Sequence, residues 1–241
     1  MQELLIIVPT YNEVENIEAL VRELLSLPLP LDILVVDDQS PDGTGAKVKA
    51  LMQEFKAHLF LEERQQKQGL GKAYLHGFQW AQRRRYTYVF EMDADFSHDP
   101  AALPGLFDVL KEKADLVVGS RYSNGITVVN WPLSRIFLSY FASVYVRAIT
   151  GMPVKDPTAG YVGYRTSVFA SINLDQIRFV GYAFQIEMKY KAWKNGARIV
   201  ECPIIFKNRE KGTSKMNGSI IWEALYAVLF LRMQYLFKKR P

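Results

Sequence analysis

Through the first half of the chain, short apolar runs alternate with amphipathic stretches, and this alternation restricts the fold more than any other feature. Runs at 4–8, 33–36, 59–61, 88–92 and 116–118 read as strands, and the stretches 13–25, 45–55, 71–84 and 101–111 between them carry helical spacing. A strand–helix–strand rhythm builds an α/β fold: a mainly parallel, Rossmann-like sheet with helices on both faces. The 241 residues, 49% of them hydrophobic, suffice for one such domain spanning 1–241 and exclude a disordered or fibrous chain. In open parallel sheets, ligands bind in the crevice beyond the carboxyl ends of the strands. Functional residues are therefore expected just after strands.

Two turn-rich segments stand there: Pro9-Thr10-Tyr11-Asn12-Glu13 after the first strand, and Asp37-Asp38-Gln39-Ser40-Pro41-Asp42-Gly43-Thr44 after the second. Helix capping and turn formation account for Asn12, Ser40, Asp42 and Thr44. They do not account for the adjacent acids Asp37 and Asp38. Alternation sends one of these toward the sheet face, where a carboxylate without partners is costly, and a nucleoside would supply partners. Asp93-Ala94-Asp95 closes the fourth strand, with both carboxylates on one side of an extended chain. Their repulsion would be relieved by a hard cation such as Mg²⁺ or Mn²⁺ shared with a diphosphate. His98 is a further candidate contact for metal or phosphate, with a structural role as the commoner alternative for a lone loop histidine.

The second half is marked by two apolar helices. The first, 132–150, opens on Pro132 and stops at Gly151, with Arg135, Ser139, Ser143 and Arg147 at four-residue steps among Phe137, Tyr140 and Phe141. It reads either as a core helix with a polar seam or as a membrane-facing helix. The second, 219–237, carries Trp222, Tyr226, Phe230 and Tyr235 and runs into Lys238-Lys239-Arg240, a composition suited to a membrane interface or to an integral-membrane partner subunit. Its uncharged run, 224–231, is far shorter than the roughly 20 residues needed to cross a bilayer. Cys202 is the single cysteine, so an intrachain disulfide and a thiolate metal cluster are excluded and a reducing cytoplasm is expected. The start of the chain, without a basic leader, does not read as a signal peptide. The net charge of +5 suits anionic ligands or an anionic membrane but selects neither.

Taken together with Gly69-Leu70-Gly71, Gly119-Ser120-Arg121-Tyr122 and Arg209-x-x-Gly212-x-Ser214-Lys215, these motifs resemble the dolichyl-phosphate (polyprenyl-phosphate) mannosyltransferases in order and spacing along nearly the whole chain. That group has the GT-A (nucleotide-diphospho-sugar transferase) fold and belongs to family 2 of the glycosyltransferases. The resemblance implies a GDP-mannose donor, a polyprenyl or dolichyl monophosphate acceptor, inversion at the anomeric carbon and peripheral attachment to the cytoplasmic face of a membrane. It implies that Pro9, Tyr11, Glu13, Val36 and Asp38 hold the nucleoside. Asp93, Ala94 and Asp95 are implied to face the diphosphate and its Mg²⁺ or Mn²⁺, with Asp93 and Asp95 as metal ligands. Some members carry Gln two residues after the second Asp as a further metal contact; Ser97 stands there in this chain, a shorter and weaker oxygen ligand.

The acceptor phosphate is already anionic near neutral pH, so positioning replaces deprotonation, and cations are needed on both sides of the reacting carbon. Arg121 and Arg135, with Ser139, are expected at the acceptor phosphate, and Arg209 and Lys215 at the donor diphosphate. The expected catalytic set is thus Asp95, Arg121 and Arg135. The alternative for Arg121 is a structural anchor at a strand end, and for 209–215 a solvated basic loop. Asp156 and Glu187 are kept outside the catalytic set.

Other readings fare less well. A nucleotidyltransferase lacks its glycine-rich basic loop here, a dinucleotide oxidoreductase lacks Gly-x-Gly-x-x-Gly after the first strand, and no nucleic-acid partner is indicated. Absence of the Gln-x-x-Arg-Trp motif of processive synthases favours a single transfer. The remaining alternatives are transfer of glucose or another hexose from a UDP-sugar, and a non-catalytic nucleotide- or lipid-binding subunit.

Overall fold

A computed structural model of the chain describes residues 3–207 and 218–237. In chain order the elements are β1 (Leu4–Thr10), α1 (Ile17–Ser26), β2 (Leu31–Asp37), α2 (Thr44–Glu54), β3 (Leu59–Glu63), α3 (Leu70–Arg83), β4 (Tyr88–Glu91), α4 (Leu103–Glu112), β5 (Leu116–Ser120), β6 (Val128–Val129), α5 (Leu133–Thr150), β7 (Val162–Arg165), α6 (Ser167–Ile172), α7 (Tyr182–Lys194), β8 (Ile199–Pro203), β9 (Phe206–Lys207) and α8 (Gly218–Phe237). Seven strands form one sheet in the order β3-β2-β1-β4-β7-β5-β8. The pairings β1/β2, β1/β4, β2/β3 and β5/β8 are parallel.

Alternation along β1 explains the two layers. Leu4, Ile6 and Val8 point to the face covered by α1, α2 and α4, while Leu5 and Ile7 point to the face covered by α3, α6 and α7. On α1, Ile17, Leu20, Val21 and Leu24 lie on one stripe and are all buried. Two glycines permit close packing: a Cβ on Gly77 of α3 would stand 2.6 Å from Ile7, and one on Gly163 of β7 would stand 2.4 Å from the Phe90 ring.

The chain leaves β1 toward β2 on one side and returns to β4 on the other, so the switch point lies between β1 and β4. The crevice beyond their carboxyl ends is where such sheets bind ligands. Three features depart from the expectation. Residues 13–16 form a turn whose Glu13 carbonyl accepts from the backbone N–H groups of Asn16 and Ile17, so the helix begins at Ile17. Strand β7 is antiparallel to both β4 and β5, and therefore interrupts an otherwise parallel sheet. A third apolar cluster joins α5, α7 and α8 through Val146, Ile186, Tyr190, Ala227, Val228 and Leu231.

This third cluster settles what kind of helix α5 is. Its Ser143, Val146 and Thr150 are buried, whereas Leu133 is 72% and Phe141 62% exposed, with Phe137, Leu138 and Val144 also open. It is therefore not a core helix. The outer side of α8 likewise exposes Tyr226, Leu229, Met233 and Leu236. Among the described residues, no helix is long and apolar enough to cross a membrane.

Candidate active site

The turns after β1 and β2 are sewn to each other. Ser40 Oγ accepts from the Asn12 backbone N–H, Thr44 Oγ1 accepts from that of Glu13, and Asp42 accepts from that of Val14. The turn formers thus act across the two loops as well as within them. The buried acids Asp37 and Asp38 do not wait for a ligand. Asp37 accepts from Thr10 Oγ1 at 2.7 Å and from Ser40 Oγ at 2.6 Å, and Asp38 takes a bidentate clasp from Arg64 at 2.6 and 2.7 Å. The expectation that a nucleoside supplies their missing partners is corrected: protein groups already offset the cost of burial. Val36 is wholly buried in the core, Ala94 is nearly so, and Pro9 sits in β1 beside Val36. Tyr11 carries Lys67 over its ring at 3.8 Å, and Glu13 accepts from Asn16 Nδ2.

Asp93 and Asp95 lie just beyond β4, at the switch point. The Tyr74 hydroxyl donates to Asp93 Oδ1 at 3.0 Å, and burial together with the Asp93 charge pushes that phenol well above its usual pKa, so it stays a donor. Asp95 Oδ1 accepts from the Ser97 backbone N–H. His98 is buried, and its Nδ1 accepts from the Asp93 N–H at 3.1 Å while its ring stacks on Tyr161. Burial holds its pKa below the ordinary value, so the ring is the neutral tautomer that fixes the Asp93 backbone. The structure gives His98 the structural role. No group of three or more His, Cys, Asp or Glu placed to hold a metal ion occurs among the described residues. Asp93 and Asp95, two residues apart beyond the end of β4, suit a hard cation that takes one or two protein oxygens and completes its shell from phosphate and water.

Under this rim lies a buried polar layer with no local sequence signature. Glu91 accepts from Tyr164 and Gln185, and the Lys189 ammonium donates to the Ala159 carbonyl at 2.7 Å and to Gln185 Oε1 at 3.0 Å. Burial pushes the Glu91 carboxyl up to about 8 and the Lys189 ammonium down to about 8. Glu187 accepts from the Arg178 and Phe179 backbone N–H groups and pairs with Lys191, so it is structural.

Arg121 follows β5 and is buried against the fully buried Asp156, which accepts from its Nε at 2.7 Å and its Nη2 at 2.6 Å. Burial raises the cost of the Asp156 charge, but Arg121 outweighs it and holds the carboxyl below its ordinary value. The structure thus favours the anchoring role for Arg121, with its charge already balanced. The Arg135 guanidinium lies over the Trp131 ring at 3.9 Å. The Tyr122 hydroxyl donates to Ser139 Oγ at 2.8 Å, which brings Ser139 to the same place. Trp131 and Phe206, absent from the sequence reading, complete this cradle with rings 5.4 Å apart, and the short β6/β9 pair holds their loops together. Trp131 Nε1 is buried without a hydrogen-bond partner among the described residues. Such a donor is costly to leave unmade.

The rings also join the two halves. His98, bonded to the Asp93 backbone, stands edge to face with Phe206 at 5.9 Å, Phe206 meets Trp131, and Trp131 carries Arg135. Arg209, Lys215, the rest of the loop 209–215, the tail 238–241 and the Trp222 side chain lie outside the described residues.

Residues 5–172 match the family described as Glycosyl transferase family 2. The chain belongs to that family and is a glycosyltransferase with the GT-A fold. Among its relatives are the polyprenol monophosphomannose synthase of Mycolicibacterium smegmatis, 46% identical over 94% of this chain and 86% of that protein, and the undecaprenyl-phosphate mannosyltransferase of Micrococcus luteus, 45% identical over 93% and 91%. Among solved structures, glucosyl-3-phosphoglycerate synthase of Mycobacterium tuberculosis, crystallised with Mn²⁺, uridine diphosphate and glucosyl-3-phosphoglycerate, superposes with a TM-score of 0.72 over 96% of this chain and 80% of its own. At 16% identity that likeness concerns the fold alone.

Proposed function

We propose that this glycosyltransferase moves mannose from GDP-mannose onto the phosphate of a polyprenyl or dolichyl monophosphate, with inversion, giving a β-linked polyprenyl phosphate mannose and GDP. The observation that carries the reading is the pairing of two rims: an acid pair at the switch point, and a cation in an aromatic cradle at the root of an exposed apolar helix. The names of the relatives, a polyprenol monophosphomannose synthase and an undecaprenyl-phosphate mannosyltransferase, support it.

In this reaction a phosphate oxygen attacks the anomeric carbon as the bond to the GDP oxygen breaks. A phosphate monoester has its second pKa near 6, so at neutral pH the nucleophile is charged without help from a base. What the protein must do is bring two anions together and orient them. Asp93 and Asp95 would hold Mg²⁺ or Mn²⁺, which when bound neutralises charge on the leaving diphosphate. Tyr74 and His98 keep Asp93 in place. Arg135 takes the acceptor phosphate, Ser139 and the unpartnered Trp131 Nε1–H add donors, and Arg121, locked to Asp156, forms the inner wall. Arg209 and Lys215 are assigned to the donor diphosphate. Pro9, Tyr11, Glu13, Val36 and Asp38 are assigned to the nucleoside, with Val36 as a wall and Asp38 sharing its carboxylate with Arg64. The apolar sides of α5 and α8 rest on the cytoplasmic face of a membrane or on an integral-membrane subunit.

The test is acceptor and donor choice by the purified chain. Radiolabel from GDP-mannose should enter organic-extractable lipid with polyprenyl phosphate and not with free polyprenol. Labelling from UDP-glucose alone would overturn the donor, labelling of polyprenol would overturn the acceptor, and donor binding with no transfer to any acceptor would leave a non-catalytic subunit.

A further inference from the structure

The polar seam of α5 continues past Arg135 and Ser139 to Ser143 and Arg147, which the proposed transfer does not use. They open on a cavity of about 340 Å³ lined by Tyr122, Ile126, Tyr140, Ser143, Arg147 and Lys155, among others. Neither cation forms an ion pair among the described residues. Lys155 Nζ donates to the Ser123 carbonyl at 2.9 Å, and the nearby Glu201 carboxylate is taken by the backbone N–H groups of Lys155 and Asp156. Arg22, Lys47, Arg64, Arg121 and Lys191, by contrast, each meet a carboxylate. Two cations without acid partners at one cavity mark a place for an anion.

We propose that this cavity binds the phosphate of a second, anionic phospholipid, distinct from the sugar acceptor. Position separates the two. Arg147 lies twelve residues after Arg135, about 18 Å along the helix axis at 1.5 Å per residue, so one phosphate cannot serve both. Amphiphile chemistry follows from the walls. Ile126, Tyr140 and Val144 are exposed at the cavity and run on into Phe137 and Phe141, so acyl chains leaving a bound headgroup meet a continuous apolar surface. A free anion would gain nothing from that surface. Tyr122 ties the cavity to the acceptor cradle, because its hydroxyl is bonded to Ser139. Occupancy would therefore set the height and tilt of α5 on an anionic membrane.

The experiment is equilibrium binding to the full chain, independent of sugar transfer. Dihexanoylphosphatidylglycerol below its micelle concentration is titrated by calorimetry, beside dihexanoylphosphatidylcholine, inorganic phosphate and the short prenyl ester citronellyl phosphate. Saturable one-to-one binding of the phosphatidylglycerol is expected, with affinity at least tenfold lower for Arg147→Gln, for Lys155→Gln and for Val144→Trp, which fills the cavity and keeps both charges. Arg135→Gln should leave it unchanged, and citronellyl phosphate should not compete. Thermal unfolding of each variant, expected to match the parent, keeps a folding defect from passing as lost binding. Absence of binding, equal binding of phosphatidylcholine, or affinity untouched by the three cavity variants would overturn the proposal. Equal affinity for inorganic phosphate would reduce the cavity to a free-anion site, and loss on Arg135→Gln or displacement by citronellyl phosphate would assign it to the acceptor; each also overturns it.

Discussion

The rim at the ends of β1, β2 and β4 and the rim along α5 are built in opposite ways. On the first, Asp37, Asp38, Asp95 and His98 are buried, and each is held by protein donors or rings before any ligand arrives. On the second, large apolar side chains from Leu133 to Val144 remain open, and an indole N–H lacks a partner among the described residues. The difference teaches that folding alone fixes the side chains of the strand-end rim, which we assign to the sugar nucleotide, whereas the rim along α5, which we assign to the lipid, leaves apolar surface for what docks on it. An apolar face of this extent gains free energy only when a lipid surface or another protein covers it. Beside the second rim Arg121 is the exception, since Asp156 already balances its charge.

Substitutions can break this comparison. Asp95→Asn should lower transfer by about 10³-fold, equivalent to about 4 kcal/mol, through loss of donor affinity and not of fold, as followed by donor binding and thermal unfolding. Asp156→Asn leaves Arg121 buried beside a neutral amide and should cost about 3–5 kcal/mol of stability in denaturant titration. The pair's contribution is complete above the ordinary Asp pKa of about 3.9 and is lost as pH falls through the depressed folded value, so the parent and Asp156→Asn should converge in acid. Arg135→Gln should lower kcat/KM for the lipid phosphate by about 10²-fold at unchanged stability, because the side chain stacks on an aromatic ring outside the buried core. Phe137→Ser with Phe141→Ser should change stability by less than about 0.5 kcal/mol, yet reduce co-sedimentation with lipid vesicles.

Much of the strand-end rim was legible. The apolar runs gave five strands in place, and Asp93-Ala94-Asp95 announced itself by lying just after one of them. Strand β7 was not legible, because its four residues centre on Gly163, whose reason for being glycine is the Phe90 ring on the neighbouring strand. The partners of the acids were equally hidden. Arg64 reaches Asp38 across 26 positions, and Tyr74 reaches Asp93 across 19, distances no local motif spans. The same blindness made Asp37 and Asp38 look as though they needed a ligand, and made Arg121 look like a free cation. Trp131 could have been suspected from its place just before the helix-opening Pro132, but only the fold sets its ring between Arg135 and Phe206.

The most direct test of the division of labour measures donor binding and sugar transfer together in Asp95→Asn and Arg135→Gln. GDP-mannose affinity should collapse in the first and hold within about twofold in the second, while both lose transfer to polyprenyl phosphate. Loss of donor affinity in Arg135→Gln, or full affinity in Asp95→Asn with Mg²⁺ or Mn²⁺ present, would contradict the account.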